Sequence, residues 1–226
     1  MIRPVTGNTC RRLAFPVTCL FMAGCTAQPE LNTTDSQQLS SPQEQAAAAL
    51  SASIGREKAI ASYRDYLARY PDGPEHDRIT RRLADLLVEQ AAEMQLAAAT
   101  SRDNPAPLEA AARQSYSEAI RCYEYLLNKY PDGPDTTDLL YQLSRASEES
   151  GQSQQALTAI DRLLARDPGS NTRLYADTRF RRGELLFGEG AFLEAGQSYQ
   201  AVVDLGATVP AYEQSLYKLG WSLFKQ

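Results

Sequence analysis

The sequence predicts an all-α protein built as a stack of paired helices, and two observations support this fold class. Amphipathic stretches with a period near 3.6 residues recur along most of the chain, which indicates helices with one buried face. The phrase Tyr-Pro-Asp-Gly-Pro occurs twice, at 70–74 and 130–134, each time between two such stretches. Repeated turn signals between repeated helical stretches are typical of stacked helical arrays.

Composition limits the classes of function. At 226 residues the chain is long enough to bury a sizeable core. Its formal net charge of −5 and its pI near 5.1 argue against binding to nucleic acid, which requires a basic face. Three of the four cysteines lie within the first 25 residues, so the cysteines do not form a disulfide framework.

The first 25 residues carry the pattern of an export signal. Arg3, Arg11 and Arg12 come before an apolar run at 13–24. This run has the length of a signal-peptide core and is too short to cross a membrane. The run closes with Met-Ala-Gly-Cys at 22–25, which resembles the lipobox of bacterial lipoproteins. That resemblance implies removal of residues 1–24 and acylation of Cys25. An ordinary signal peptide or a short buried helix is the alternative.

The same resemblance implies a location. Thr26 stands where aspartate would signal retention in the inner membrane, so we expect attachment by acyl chains to the periplasmic face of the outer membrane. Residues 25–40 are rich in Gln, Ser, Thr and Asn, which predicts a flexible tether. Cys122 would then be the one thiol of the folded part, and we interpret it as a small packing residue.

The first helices are predicted from local signals. Ser41, Pro42 and Glu44 have the pattern of a helix N-terminus, and the alanines that follow favour helix. Gly55 predicts a turn, after which residues 56–70 are expected to form a second helix.

Between the two Tyr-Pro-Asp-Gly-Pro copies the sequence predicts one elongated helical hairpin. Residues 77–99 and 108–129 each have the apolar periodicity of a single long helix, and Asn104 and Pro105 mark the loop between them. At 1.5 Å per residue, each helix would be about 30–35 Å long.

The second helix of each predicted pair shows a common spacing. Ala59, Ala119 and Ala156 are each followed by a large apolar or aromatic residue four positions later and by proline twelve positions later, and Ala195 with Tyr199 begins a weaker copy. This spacing resembles the second helix of the tetratricopeptide repeat, a helix-turn-helix unit of 34 residues. The resemblance implies a right-handed α-solenoid over residues 41–226.

The first helix of each pair carries a small residue twelve positions before that alanine. Ser144 and Gly183 fit this spacing, and Gly220 begins a further unit. Gly151 and Gly190 fall where the turn between the two helices is expected. Arg179 and Arg182 depart from the family pattern, since they take positions that the family gives to large apolar residues.

Residues that could carry chemistry are few. His76 is the only histidine, and we interpret it as a solvated loop residue because no nucleophile-elbow or metal-ligand spacing accompanies it. Glu148 and Glu149 fit a solvated helix face. We therefore expect a protein that is not an enzyme, with no metal, cofactor or small-molecule substrate.

In tetratricopeptide repeats the first helices line an inner groove, and the resemblance implies such a groove here. Its beginning would be charged, with Arg78, Arg81, Asp85 and Glu89. Further along, aromatic side chains would anchor an extended segment or helix of a partner. The alternative is that these rings pack against neighbouring helices. The expected groove residues are Tyr141, Arg145, Glu148, Phe180, Glu184, Phe187, Tyr217, Trp221 and Phe224.

These observations predict a non-catalytic scaffold that binds protein partners in a cell-envelope complex for assembly, secretion or energy coupling. The alternatives are a targeting module of a longer envelope enzyme and a module that binds peptidoglycan or another polysaccharide. The last helix, around Trp221, lacks the polar face of a capping helix. We therefore expect the array to continue beyond residue 226, or alternatively this face to meet a partner.

Overall fold

The computed structural model describes residues 42–101, 104–166, 169 and 171–226. The signal peptide expected at 1–24, the acylation site Cys25 and the tether expected at 25–40 lie outside the described residues.

The described residues form an all-α fold, which confirms the predicted fold class. Eight helices occur in this part of the chain, and each packs against the next in the manner of a tetratricopeptide-like solenoid. Even-numbered helices are the first helices of repeat pairs and odd-numbered ones are second helices. The helices are α1 Pro42–Arg69, α2 His76–Thr100, α3 Ala106–Lys129, α4 Thr136–Glu149, α5 Ser153–Arg166, α6 Thr172–Gly188, α7 Phe192–Val203 and α8 Tyr212–Lys225.

The elongated hairpin predicted between the two Tyr-Pro-Asp-Gly-Pro copies is present. Helices α2 and α3 contain 25 and 24 residues, whereas α4 and α5 contain 14 each. The hairpin carries most of the largest core, which extends from α1 to α5 and includes Leu87, Tyr116 and Tyr123. Two smaller clusters, around Tyr199 and Val202, join α5 to α8.

Both Tyr-Pro-Asp-Gly-Pro segments form the same joint between helices. The amide of Gly73 donates to the carbonyl of Tyr70 at 3.1 Å, and the amide of His76 donates to the carbonyl of Gly73 at 3.0 Å. The second copy repeats this pattern, and Pro134 lies in a turn two residues before α4 begins. The predicted turns between α4 and α5 and between α6 and α7 are also confirmed, since Gly151 and Gly190 have φ of 80° and 79°.

The turn predicted at Gly55 is wrong, because α1 continues through this residue as one helix of 28 residues. Glycine costs a helix interior only about 1 kcal/mol relative to alanine, and the alanine-rich stretch before it favours helix. Arg56 also ties this part of α1 to α2, because its guanidinium donates to Glu89 Oε2 at 3.3 Å and forms an ion pair with Glu93.

Candidate partner-binding surface

The sequences of the four first helices can be aligned on one small residue each, namely Ala84, Ser144, Gly183 and Gly220. Helices α6 and α7 pack closely at Gly183. A Cβ atom placed there would lie 2.5 Å from Cε1 of Tyr199, the aromatic residue of the following second helix. Glycine is therefore required for α6 and α7 to approach this closely.

Arg179 and Arg182 are accommodated in this register by hydrogen bonds. Arg182 Nε donates to Asp161 Oδ1 at 2.8 Å, and its Nη1 donates to Ser198 Oγ at 2.9 Å. Arg179 Nε donates to the hydroxyl of Tyr175 at 3.0 Å. Two half-buried arginine side chains thus occupy the positions that the family gives to large apolar residues.

The charged beginning of the expected groove is held by contacts within the chain. Asp85 Oδ1 accepts a hydrogen bond of 2.9 Å from the hydroxyl of Tyr123, and Arg81 forms an ion pair with Asp138 on the next first helix. Arg78 is largely exposed and forms an ion pair with Glu75, three residues before it.

The middle of the expected groove is a polar network between α4 and α6. The hydroxyl of Tyr141 donates to Asp177 Oδ2 at 2.9 Å, and Arg181 bonds both Asp177 and Glu148, at 2.9 and 2.8 Å. Burial disfavours the charged Arg181, but the two carboxylates outweigh it and raise the pKa of the guanidinium. Arg145 lies 6.0 Å from the ring of Tyr141.

Phe180, Glu184 and Phe187 are half-buried and contact neighbouring helices. The ring of Phe180 lies 5.9 Å from that of Tyr199 on α7, and the ring of Phe187 lies 5.2 Å from that of Phe192. Glu184 accepts hydrogen bonds from the hydroxyl of Tyr199 at 2.6 Å and from Lys218 Nζ at 2.9 Å. For these residues the structure shows the contacts that the packing alternative expects.

Tyr217, Trp221 and Phe224 form an exposed row of aromatic side chains on α8. Their exposed fractions are 64, 42 and 77 %, and successive ring centroids are 6.2 and 5.8 Å apart in edge-to-face orientation. The row borders a shallow cavity of about 420 Å³ that Leu216 and Gly220 complete. We name these three residues the aromatic row.

Buried tyrosine hydroxyls that bond carboxylates on the preceding helix were not anticipated from the sequence. Tyr123 donates to Asp85, and Tyr199 donates to Glu184. In both pairs the carboxylate directly follows the small residue of the first helix, so this position in the repeat could have indicated the hydrogen bond. Burial and the adjacent carboxylate raise the pKa of both hydroxyls, which keeps them protonated as donors.

A second cluster missed by sequence reasoning lies where α2 begins, beside the second Tyr-Pro-Asp-Gly-Pro copy. The carboxylate of Asp77 accepts hydrogen bonds from Lys129 at 2.8 Å, Tyr130 at 2.6 Å and Tyr125 at 3.1 Å. Burial alone would raise the pKa of Asp77, but these donors hold it at about 2. A cavity of about 640 Å³ adjoins the cluster.

The interpretation of His76 as a solvated loop residue is wrong. His76 is the first residue of α2 and is half-buried, with its ring centroid 5.4 Å from that of Tyr125. The hairpin brings α3 against the start of α2, and the imidazole fills part of that contact.

Cys122 is half-buried, as its interpretation as a packing residue expects. Burial raises the pKa of its thiol to about 11, with Glu118 adding to the effect, so the thiol stays protonated near neutral pH.

Within the described residues no group of three or more His, Cys, Asp or Glu side chains is placed to hold a metal ion. None of the described helices is both long and apolar enough to span a membrane.

Comparison with known families agrees with this geometry. The tetratricopeptide repeat family model matches the chain twice, over residues 106–171 and 141–210. Helices α3 to α7 therefore carry detectable tetratricopeptide repeats. A search of curated proteins finds no match. Tetratricopeptide repeats commonly mediate protein–protein interactions, which supports a protein partner for the array.

Proposed function

We propose that this protein is a non-catalytic scaffold lipoprotein, anchored through Cys25 to the periplasmic face of the outer membrane, that binds a protein partner of the cell envelope. The support for the anchor is the Met-Ala-Gly-Cys motif behind a basic and apolar leader. Two observations support the scaffold role. The chain forms a repeat array, and its partly buried polar side chains form hydrogen bonds and ion pairs with one another.

The aromatic row is the observation that carries the binding role. Aromatic side chains of this size supply much of the energy at protein interfaces, and here three of them stand exposed on one helix. Of the aromatic residues expected in the groove, Phe180 and Phe187 are half-buried against rings of α7, whereas the aromatic row is exposed. This contrast in exposure supports α8 as the partner contact.

Site-specific photocrosslinking in cells tests this assignment. A photoreactive phenylalanine analogue at Trp221 should give one dominant adduct, and the same analogue at Gln154, an exposed residue of α5, should not. Equal and diffuse labelling from both positions would refute partner binding at α8.

The anchor has a separate test. Cys25→Ser should abolish metabolic labelling with palmitate and release the protein from membranes, whereas Cys122→Ser should leave both unchanged. Labelling that survives Cys25→Ser would exclude this anchor.

A further inference from the structure

The junction between α5 and α6 is built differently from the preceding junction, between α3 and α4. Leucines of both α3 and α4 belong to the largest buried cluster: Leu126, Leu127, Leu139, Leu140 and Leu143. That cluster also contains Ala159 and Leu163 of α5, but no residue of α6 belongs to it. Of all consecutive helices in the described part of the chain, α5 and α6 pack against each other least extensively.

Apolar burial across the α5–α6 junction depends on Leu157. This leucine is the one residue of α5 that shares a buried cluster with α6, where Leu186 is its partner in the cluster. Full burial of a leucine contributes about 1.5–3 kcal/mol, and the α3–α4 junction contains several such residues. Apolar burial therefore holds α5 to α6 more weakly than it holds α3 to α4.

On the groove side, polar side chains join the first helices α4 and α6 across the same junction. Tyr141 on α4 donates to Asp177 on α6, and Arg181 Nη1 on α6 donates to Glu148 on α4 at 2.8 Å. Arg181 Nε also donates to Asp177 of its own helix, so one guanidinium connects both carboxylates. We name Tyr141, Glu148, Asp177 and Arg181 the clasp.

The clasp is partly exposed to solvent, which limits its strength. The side chains of Arg181, Glu148 and Asp177 keep 24, 27 and 40 % of their surface exposed. Ion pairs near the surface contribute on the order of 0.2–1 kcal/mol each, and dissolved salt weakens them further. Separating the clasp therefore costs less free energy than separating the leucines of the α3–α4 junction.

A cleft of about 480 Å³ lies beside the clasp, between residues of the same two helices. Its walls include Asp138 and Tyr141 on α4, and Leu174, Ala176 and Asp177 on α6. Close-packed interiors resist rearrangement, whereas helices that face each other across an open cleft can change their separation without repacking a core.

We propose that the α5–α6 junction is a hinge of the array, and that the clasp holds this hinge in the closed arrangement seen here. Helices α1 to α5 move as one unit and α6 to α8 as the other, because each unit keeps a buried cluster of its own. Leu157 provides the pivot on α5. Opening of the clasp widens the groove between Tyr141 and Phe180, so the hinge adjusts the groove where its charged part meets its aromatic part.

Distances between spin labels in the intact protein test the hinge. The labels are coupled to azidophenylalanine at exposed glutamines, which leaves the cysteines unaltered. Gln154 and Gln197 lie on α5 and α7, on either side of the hinge, whereas Gln114 and Gln154 span the α3–α4 junction. We expect Arg181→Gln to broaden the 154–197 distance distribution at least about twofold and to leave the 114–154 distribution unchanged. Salt at about 1 M should broaden the 154–197 distribution of the unaltered protein, because it screens the ion pairs of the clasp.

Arg81→Gln is the matched control, since Arg81 pairs with Asp138 and so joins the first helices α2 and α4. The leucine cluster still holds that junction, so neither distribution should change. Glu148→Gln removes only the charge that Arg181 meets on the other helix, and it should act like Arg181→Gln. Far-ultraviolet circular dichroism checks that each variant keeps its helices.

Three outcomes would overturn the proposal. A narrow 154–197 distribution that neither Arg181→Gln nor salt changes would show a rigid junction. A broad one that neither changes would show a hinge that the clasp does not hold. Equal broadening of both label pairs would show an array that bends uniformly. Failed crosslinking at Trp221 would bear only on the proposed partner contact, since neither label pair includes α8.

Discussion

Among individual side chains, Asp77 connects the start of α2 to the end of α3 through Lys129, Tyr130 and Tyr125. Its pKa in the folded protein, about 2, is lower than the ordinary value of 3.8. A carboxyl with a depressed pKa stabilises the fold above its unfolded pKa, and this contribution is lost as pH falls through the folded pKa.

We therefore predict that Asp77→Asn destabilises the protein at pH 7 by on the order of 1 kcal/mol, a figure that allows for solvent screening of this partly exposed cluster. The difference between the two proteins should shrink as pH falls from about 4 to 2, because Asp77 becomes protonated in the unfolded state over this range and begins to be protonated in the folded state near pH 2. Urea unfolding at several pH values measures this.

Asp72→Asn is the matched control for Asp77, since Asp72 lies exposed in the first Tyr-Pro-Asp-Gly-Pro turn. Asparagine and aspartate suit the turn position before glycine equally well, so this variant should have the same free energy of unfolding as the unaltered protein. An Asp77→Asn effect that is independent of pH would argue against an ionised Asp77 as its source.

Gly183 and Gly220 occupy equivalent positions but should respond oppositely to substitution. Gly183→Ala places a Cβ 2.5 Å from the ring of Tyr199, and overpacking of this kind costs about 1–3 kcal/mol. Gly220→Ala meets no neighbour and removes a helix-interior glycine, so it should stabilise by about 0.5–1 kcal/mol. Thermal unfolding of both variants decides this, and equal effects would contradict the assigned register.

At the scale of the element, α1 yields a prediction about its continuity. Gly55 lies inside a helix with no atom near its potential Cβ, so Gly55→Ala should raise the free energy of unfolding by about 0.5–1 kcal/mol. Gly151→Ala is the contrasting variant, because φ of 80° strains alanine, and it should destabilise by about 1 kcal/mol. Destabilisation by Gly55→Ala would indicate a turn at this residue.

Element boundaries that depend on local turn chemistry were predictable from the sequence. The hairpin α2–α3 could be predicted because proline and glycine turns bracket two stretches with unbroken periodicity. Gly55 was misread because a single glycine is also tolerated within a helix when the flanking residues favour it. The ion pairs of Arg56 with α2, which accompany the continuous helix, join residues more than 30 positions apart.

The candidate surface was harder to predict than the fold. Repeat spacing placed Phe180, Phe187 and Trp221 on one kind of helix face, but only tertiary contacts separate packed rings from exposed ones. Phe187 meets Phe192 of the next helix, whereas Trp221 keeps 42 % of its surface exposed. Exposure depends on which helices lie alongside, and the periodicity of a single helix does not contain that information.

At the scale of the whole molecule, the core is distributed unevenly along the array. The largest cluster joins α1 to α5 around the long hairpin, whereas smaller clusters hold α6, α7 and α8. In a repeat array each unit is stabilised mainly by its neighbours, so stability can differ from one end to the other. Helix α8 buries only Ser215 and Ser222 fully.

We therefore predict that unfolding in urea is not a single two-state transition. Fluorescence of Trp221 reports on α8, and its transition should come at lower urea than that of the far-ultraviolet circular dichroism, which is dominated by the long helices α1 to α3. Hydrogen exchange should show the same order, with amides of α8 exchanging faster than those of α2 and α3. Coincident transitions would mean that the smaller clusters couple α8 to the hairpin core strongly enough for the array to unfold as one unit.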